Sequence, residues 1–322
     1  MVNYRRHTKK FAAIILLVFT NLSLAFTQIG DPQFSQHMNT IMSYNPGYAG
    51  SNDQICLTAA ARQQYFGLDG APVTTVFSGN APFRLFNISS GVGLNVFNDK
   101  AGFFNDLGLN VSYAYRAKLG DGKLGIGIMG GMLNSALKGE WSVPSGSDYH
   151  TPWGQDPAVP GDQSSIIFDM SFGVFYRTDK LYMGLSSTHI TQPSLKFDKG
   201  QPFLKRQYHF TAGYNLQLSN PLYEVRPSFY IQSDGSISQL TVNTTLVYNK
   251  RFWGGVSYRA GDAVIGMIGV EMLNGVRISY SYDYVTSKLG KFTDGSHEFT
   301  VGYCFSINKE KAPEKYKSIR YL

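Results

Sequence analysis

Residues 275–285 read GVRISYSYDYV and residues 297–307 read HEFTVGYCFSI, separated by the turn-rich gap SKLGKFTDGS at 287–296. In the first run Val276, Ile278, Tyr280, Tyr282 and Tyr284 alternate with Arg277, Ser279, Ser281 and Asp283. In the second, Phe299, Val301, Tyr303, Phe305 and Ile307 alternate with Glu298, Thr300, Gly302, Cys304 and Ser306. Strict period two makes each run a strand with one greasy and one polar side. The fold turns on what the greasy sides face.

Working outward, about fourteen such runs follow one another. They centre on 54–66, 71–82, 88–97, 106–119, 123–134, 165–177, 180–189, 206–218, 222–232, 238–249, 251–260, 262–272, 275–286 and 297–307. Most match or slightly exceed the roughly 9–11 residues that a tilted strand needs to cross a membrane. Connections after even-numbered runs are mostly tight: LGDG, RTDK, LSNP, NK and LNG, with PFRLF slightly longer. Those after odd-numbered runs include NDKAGFF, TQPSLKFDKGQPFLK, SKLGKFTDGS and the long stretch from Lys138 to Gln163, with GLDG and AGD as short exceptions. Long loops at one end and short turns at the other are the habit of outer-membrane barrels, and both chain ends are then expected on the periplasmic side.

A secreted β-sandwich also alternates, with its greasy faces turned inward. Four features favour a barrel: the even count, the unequal connections, the low charge and the make-up of the polar faces. Those faces carry Arg116, Lys118, Asp169, Glu224, Arg226, Arg259, Glu271, Arg277, Asp283 and Glu298 among Gly, Ser and Thr, which suits a watery interior. The expected fold is therefore all-β: a transmembrane antiparallel β-barrel of about 14 strands. A lumen that wide must hold water, a folded-in segment or a partner. Residues 26–52 and the loop 135–164, which carries Trp141 and Trp153, are the candidate plugs.

Composition agrees. Among 322 residues only 16% are charged while 14% are aromatic, as expected where outer faces need no hydration. Residues 1–25 read as a secretory signal, with Arg5, Arg6, Lys9 and Lys10 ahead of the apolar FAAIILLVF and a small-x-small site at Ser23-Leu24-Ala25. Removing its four basic residues takes the net charge from +7 to +3, so the basicity gives no support to nucleic-acid binding. After the signal no apolar run reaches the length of a membrane helix.

Cys56 lies near the start of the first run and Cys304 near the end of the last. In a barrel closed first to last both fall at the same end and point inward, which makes them a candidate seam disulfide in an oxidising compartment. His150, His189, His209 and His297 show no metal-ligand spacing, and no nucleophile elbow appears. The sequence therefore indicates no catalytic, cofactor or metal site. The tail 308–322 mixes charged residues such as Arg320 with the apolar Ile319, Tyr321 and Leu322, which suits docking on a periplasmic partner or the barrel rim.

The run QFSQHMNTIMSYNPGYAGS at 33–51, followed by AARQQYFGLDGAP at 60–72 and VTTVFSGNAPF, resembles the PorP/SprF family of type IX secretion membrane proteins. The family's frequent hairpin Trp is replaced here by Tyr65-Phe66. The resemblance implies an outer-membrane barrel of the secretion and gliding machinery, acting as receptor or anchor rather than catalyst. Its implied partners are outer-membrane lipids, a surface or secreted protein with a type IX C-terminal signal domain, and a periplasmic peptidoglycan-binding lipoprotein. On that reading the chain divides into the signal (1–25), an ordered N-terminal periplasmic or plug segment (26–52), a barrel (53–307) and a periplasmic tail (308–322), forming a monomeric barrel within a complex. Phe34, Gln36, Tyr44, Asn45, Pro46, Tyr48, Ala49 and Gly50 are then expected to form a keystone whose aromatics wedge against the periplasmic end. The alternatives are a diffusion porin or solute channel and, further off, an outer-membrane enzyme.

Overall fold

The structure, a computed structural model, describes residues 30–138, 161–198, 200–272 and 275–306. The signal 1–25, Trp141, Trp153 and the tail 308–322 with Arg320 and Tyr321 lie outside the described residues.

Among the described residues fourteen strands form one antiparallel ring. They are β1 (Ile55–Gln63), β2 (Val73–Leu85), β3 (Ile88–Ala101), β4 (Phe104–Leu119), β5 (Gly122–Leu137), β6 (Gln163–Arg177) and β7 (Leu181–Thr188). Next come β8 (Gln207–Tyr214, resuming at Leu216–Gln217), β9 (Tyr223–Ser233), β10 (Ser238–Tyr248) and β11 (Phe252–Arg259). The set ends with β12 (Ala263–Glu271), β13 (Val276–Val285) and β14 (Ser296–Phe305). Each strand pairs with its successor, and β14 pairs with β1 from Ile55↔Phe305 to Gln63↔His297, so the sheet has no free edge. Closure is what allows strands to cross hydrocarbon, because every backbone donor and acceptor then finds a neighbour.

The alternation decides which side is wet. On β13 Tyr284 is 65% exposed while its neighbour Asp283 is fully buried, and on β11 Val256 is 65% exposed against 3% for Ser257. Greasy residues thus form the outer surface and the polar set lines the lumen, the reverse of a sandwich. No helix among the described residues is long and apolar enough to cross a membrane; the strands do so.

Two connections are tighter than the sequence suggests. PFRLF and NDKAGFF read as loops, yet the ladders run on through Leu85↔Ile88 and Ala101↔Phe104. The first hairpin turns at Phe86-Asn87, both with positive φ, the conformation that matches strand twist in a two-residue turn. The wall from β3 to β6 is consequently 14–16 residues tall, against 8 for β7 and β11. A further segment between β7 and β8, described at residues 189–198 and 200–206, folds back over the tall wall. Its Leu195 and Phe197 pack on the lumen-facing Leu133 and Ile167. The candidate plug loop 135–164 lies largely outside the described residues, and the sequence reading took the stretch after β7 only as a long connection, although its apolar residues at 195, 197 and 204 carried a signal.

Candidate functional site

The lumen is occupied by the chain's own residues 30–52. They run its length, from the end carrying the long loops (the loop end) to the end carrying the short turns (the turn end). This differs from the expected wedge at one end: Phe34 and Gln36 lie in the loop-end half, and only the stretch from Tyr44 to Gly50 seats toward the turns. The reason is electrostatic, because the polar groups that bind residues 31–36 come from the loop-end halves of β1, β7, β11, β13 and β14 and the turn after β7.

At the loop end Asp31 accepts a bond from the Thr188 hydroxyl at 3.2 Å and lies 2.9 Å from His189 Nε2. The other ring nitrogen of His189 is 2.7 Å from Asp169. Burial pushes the His189 imidazole down, but the two flanking carboxylates outweigh it and raise its pKa to about 10. Burial likewise pushes the Asp31 carboxyl up, and His189 more than reverses this, so Asp31 is held below its ordinary range.

Deeper in, Ser35 and Gln36 sit in a buried ion network. The Glu298 carboxylate accepts the backbone N–H groups of Ser35 at 2.6 Å and Gln36 at 3.0 Å. The Ser35 hydroxyl donates to Asp283 at 2.6 Å and meets the guanidinium groups of Arg62 and Arg259. Arg62 pairs with Asp283 at 2.8 Å and Glu298 at 3.4 Å, while Arg259 pairs with Asp283 and Asp262, both at 3.1 Å. Cations and anions buried together offset one another's desolvation, and removing one member leaves the rest unpaired. Four strands thereby hold one residue pair of the threaded segment.

Mid-lumen the contacts turn aromatic. His37 stacks on Tyr230 with centroids 5.2 Å apart, and Tyr44 lies 5.0 Å from Tyr230 and 5.3 Å from His209. His37 is buried, and neither of its ring nitrogens has a hydrogen-bond partner among the described residues.

Toward the turn end the segment presses against backbone. The Asn45 side chain donates to the Val174 carbonyl at 3.2 Å and accepts the Gly47 N–H at 2.9 Å, fixing the tight turn that Pro46 begins. A Cβ on Gly47 would stand 2.8 Å from the Gly173 carbonyl and 2.9 Å from that of Gly125, so only glycine fits here. Tyr48 meets Phe175 edge-on at 5.1 Å. Below, Asp53 binds Arg116 at 2.9 Å and Lys123 at 2.6 Å, and Asn52 binds Arg177. Cys56 and Cys304, direct partners across the β1–β14 seam with Cα atoms 4.1 Å apart, are joined as a disulfide on the lumen side.

Separate cavities remain on either side of this segment. One of about 270 Å³ opens among the turn-end strands beside Met38, Tyr48, Arg177, Arg226 and Arg277. Another, of about 120 Å³, lies at the loop end beside Asp31, His37 and His189. Among the described residues no group of three or more His, Cys, Asp or Glu is placed to hold a metal ion.

The threaded segment that carries these contacts is also the stretch richest in family motifs. The family model of the type IX secretion system membrane protein PorP/SprF matches residues 26–303, that is, the segment and nearly the whole barrel. The chain belongs to the PorP/SprF family. As a member it is an outer-membrane, transmembrane β-barrel of the type IX secretion system class. No curated protein matches it. Among solved structures, the Acinetobacter baumannii outer membrane protein Omp33 is similar at 8% identity and a TM-score of 0.45, covering 79% of this chain and 99% of its own. The Ralstonia pickettii toluene transporter TbuX has 12% identity and a TM-score of 0.44, with 83% and 93% coverage. A Rh. blastica porin mutant has 10% identity and a TM-score of 0.33, with 78% and 99% coverage.

Sequence reasoning singled out the threaded segment but missed its partners. Asp169, Arg259, Asp283 and Glu298 were read only as lumen-facing charges, and Arg62 only as part of a family motif. Nothing in period-two alternation reveals which inward charges from distant strands share a height in the barrel.

Proposed function

We propose that this PorP/SprF barrel binds a surface or secreted protein carrying a type IX C-terminal signal domain and anchors it or helps deliver it, coupled on the periplasmic side to a peptidoglycan-binding lipoprotein. One observation supports this reading above the others: the lumen is taken up by residues 30–52, pinned by buried ion pairs and backbone contacts over its whole length. A diffusion porin needs that space for water and solute, whereas a receptor needs a rigid body with its loops presented outward. Glu298, Asp283, Arg62 and Arg259 then serve to hold the plug, and the keystone residues Tyr44 and Tyr48 to seat it.

The test combines bilayer conductance with isolation of the barrel from detergent extract of its native membrane. The expected result is no steady open-channel current, together with co-isolation of a signal-domain protein and a wall-binding lipoprotein. Changing Tyr44 and Tyr48 to Ala is expected to reduce retention of the surface protein more than insertion of the barrel. A large steady current from the intact protein, with neither partner retained, refutes the reading in favour of a channel.

A further inference from the structure

The loop-end chamber holds an electrostatic arrangement that the plug does not explain. Asp99 of β3 and Asp106 of β4 are direct cross-strand partners, and both line the chamber. Like charges directly opposite one another on one face destabilise a sheet. Asp31 and Asp169 line the same chamber. These two clamp His189 between them, so a single imidazolium stands against four carboxylates. No Lys or Arg is among the described residues lining the space, and neither Asp99 nor Asp106 is ion-paired. Asp99 accepts one bond, from the Thr74 hydroxyl; Asp106 has the Ser135 hydroxyl beside it, and its Oδ1 has no partner among the described residues.

A second observation is independent of the carboxylates. His37 is 1% exposed, lines the chamber, and has no hydrogen-bond partner on either ring nitrogen. A buried polar group left without a partner costs free energy unless something that enters the site satisfies it. Tyr44, Tyr230 and Phe97 supply aromatic wall beside these groups. Carboxylates, an unmet imidazole and ring faces together describe a receptor for a cation with an organic body.

We propose that this chamber binds one ammonium or guanidinium side chain, a Lys or Arg presented by the protein that the barrel engages at its loop end. The inference rests on the receptor reading above, and it names the chemistry by which that receptor recognises its partner. A calcium ion is the poorer fit. It needs six to eight oxygens, whereas Asp31 and Asp169 are committed to His189 and only the adjacent pair Asp99 and Asp106 remains. At about 120 Å³ the space suits a single head group rather than a folded element.

The experiment uses the full-length barrel in detergent, with Nα-acetyl-lysine amide and Nα-acetyl-arginine amide as probes at constant ionic strength and Nα-acetyl-glutamine amide as the neutral control. The thermal unfolding midpoint and the tyrosine fluorescence titration are read for the native protein and for D99N/D106N. Expected are a saturable midpoint rise with a cationic probe, none with the neutral one, and at least tenfold weaker binding by the double variant. Should that variant fail to insert, D106N alone, which keeps the Thr74 bond to Asp99, carries the same comparison. Equal responses to charged and neutral probes, an unchanged affinity in the variants, or a larger response to calcium at the same carboxylates each overturn the proposal. Because the probes are small molecules, a negative result here leaves the co-isolation test of the receptor reading untouched.

Discussion

Replacing Glu298 by Gln should loosen the threaded segment while leaving the wall intact. The carboxylate receives two backbone N–H groups of that segment, from Ser35 and Gln36, and also faces Arg62. Glutamine is nearly isosteric but offers one oxygen and one NH2, so one N–H keeps a neutral acceptor and the other meets a donor. The loss is one charge-assisted bond plus a buried N–H left unmet, partly relieved by the bond that stays. That comes to about 2–4 kcal/mol, or roughly 30- to 1,000-fold in the local opening equilibrium. Asp283 still pairs with both arginines, so the network is weakened rather than scattered. Hydrogen exchange of the purified barrel reads the result directly. The backbone amides of residues 35–37 should exchange faster by that factor, while those of β4, held on both sides by ladders, should not change. Unchanged exchange at 35–37 refutes the idea that Glu298 holds the segment. Equal acceleration in β4 refutes it differently, by showing that segment and wall open as one unit.

Three further outcomes follow from the same geometry. Gly47→Ala should unseat the turn-end half of the segment by about 1–3 kcal/mol, because its Cβ meets two backbone carbonyls. Gly130→Ala, with open space around it, should be neutral in the same exchange assay. The His189 clamp should depend on pH in both directions. With the histidine raised to about 10, its contribution is complete below about pH 6.5 and is lost as pH rises through 10. Asp31, held low, contributes fully above about pH 4 and is lost on acidification through its depressed value. Protection factors at Asp31, Gln33 and Phe34, with the intrinsic pH dependence of amide exchange divided out, should therefore be highest between those limits, and His189→Gln should abolish the alkaline arm. Finally, the Cys56–Cys304 bond spans a sequence separation of 248, for which chain-entropy arguments give about 5 kcal/mol of stabilisation. Reduction should lower the temperature at which the barrel unfolds on a gel, and two free thiols in the exported protein would remove the bond from the account.

The sequence alone determined the outline. Alternation such as Val276 to Tyr284 is a local property, since successive side chains on any strand point to opposite faces, and the greasy set on each run matched one membrane thickness. Fourteen runs, their sidedness and the outer-membrane setting were therefore legible residue by residue. The turn YNPGYAGS at 44–51 was also legible as a unit, because Pro46 and the nearby glycines set the backbone wherever they occur.

Only the tertiary structure decided what the lumen contains and what holds it there. Whether Arg62, Arg259, Asp283 and Glu298 meet depends on the stagger between strands more than two hundred residues apart in the chain, and a shift of two residues preserves the alternation while separating the charges. The same holds for Cys56 opposite Cys304, whereas Asp99 faces Asp106 across the tight hairpin of β3 and β4, a local register. Inward-facing charge is written in the sequence; the height at which each charge meets its neighbour is set only when the ring closes.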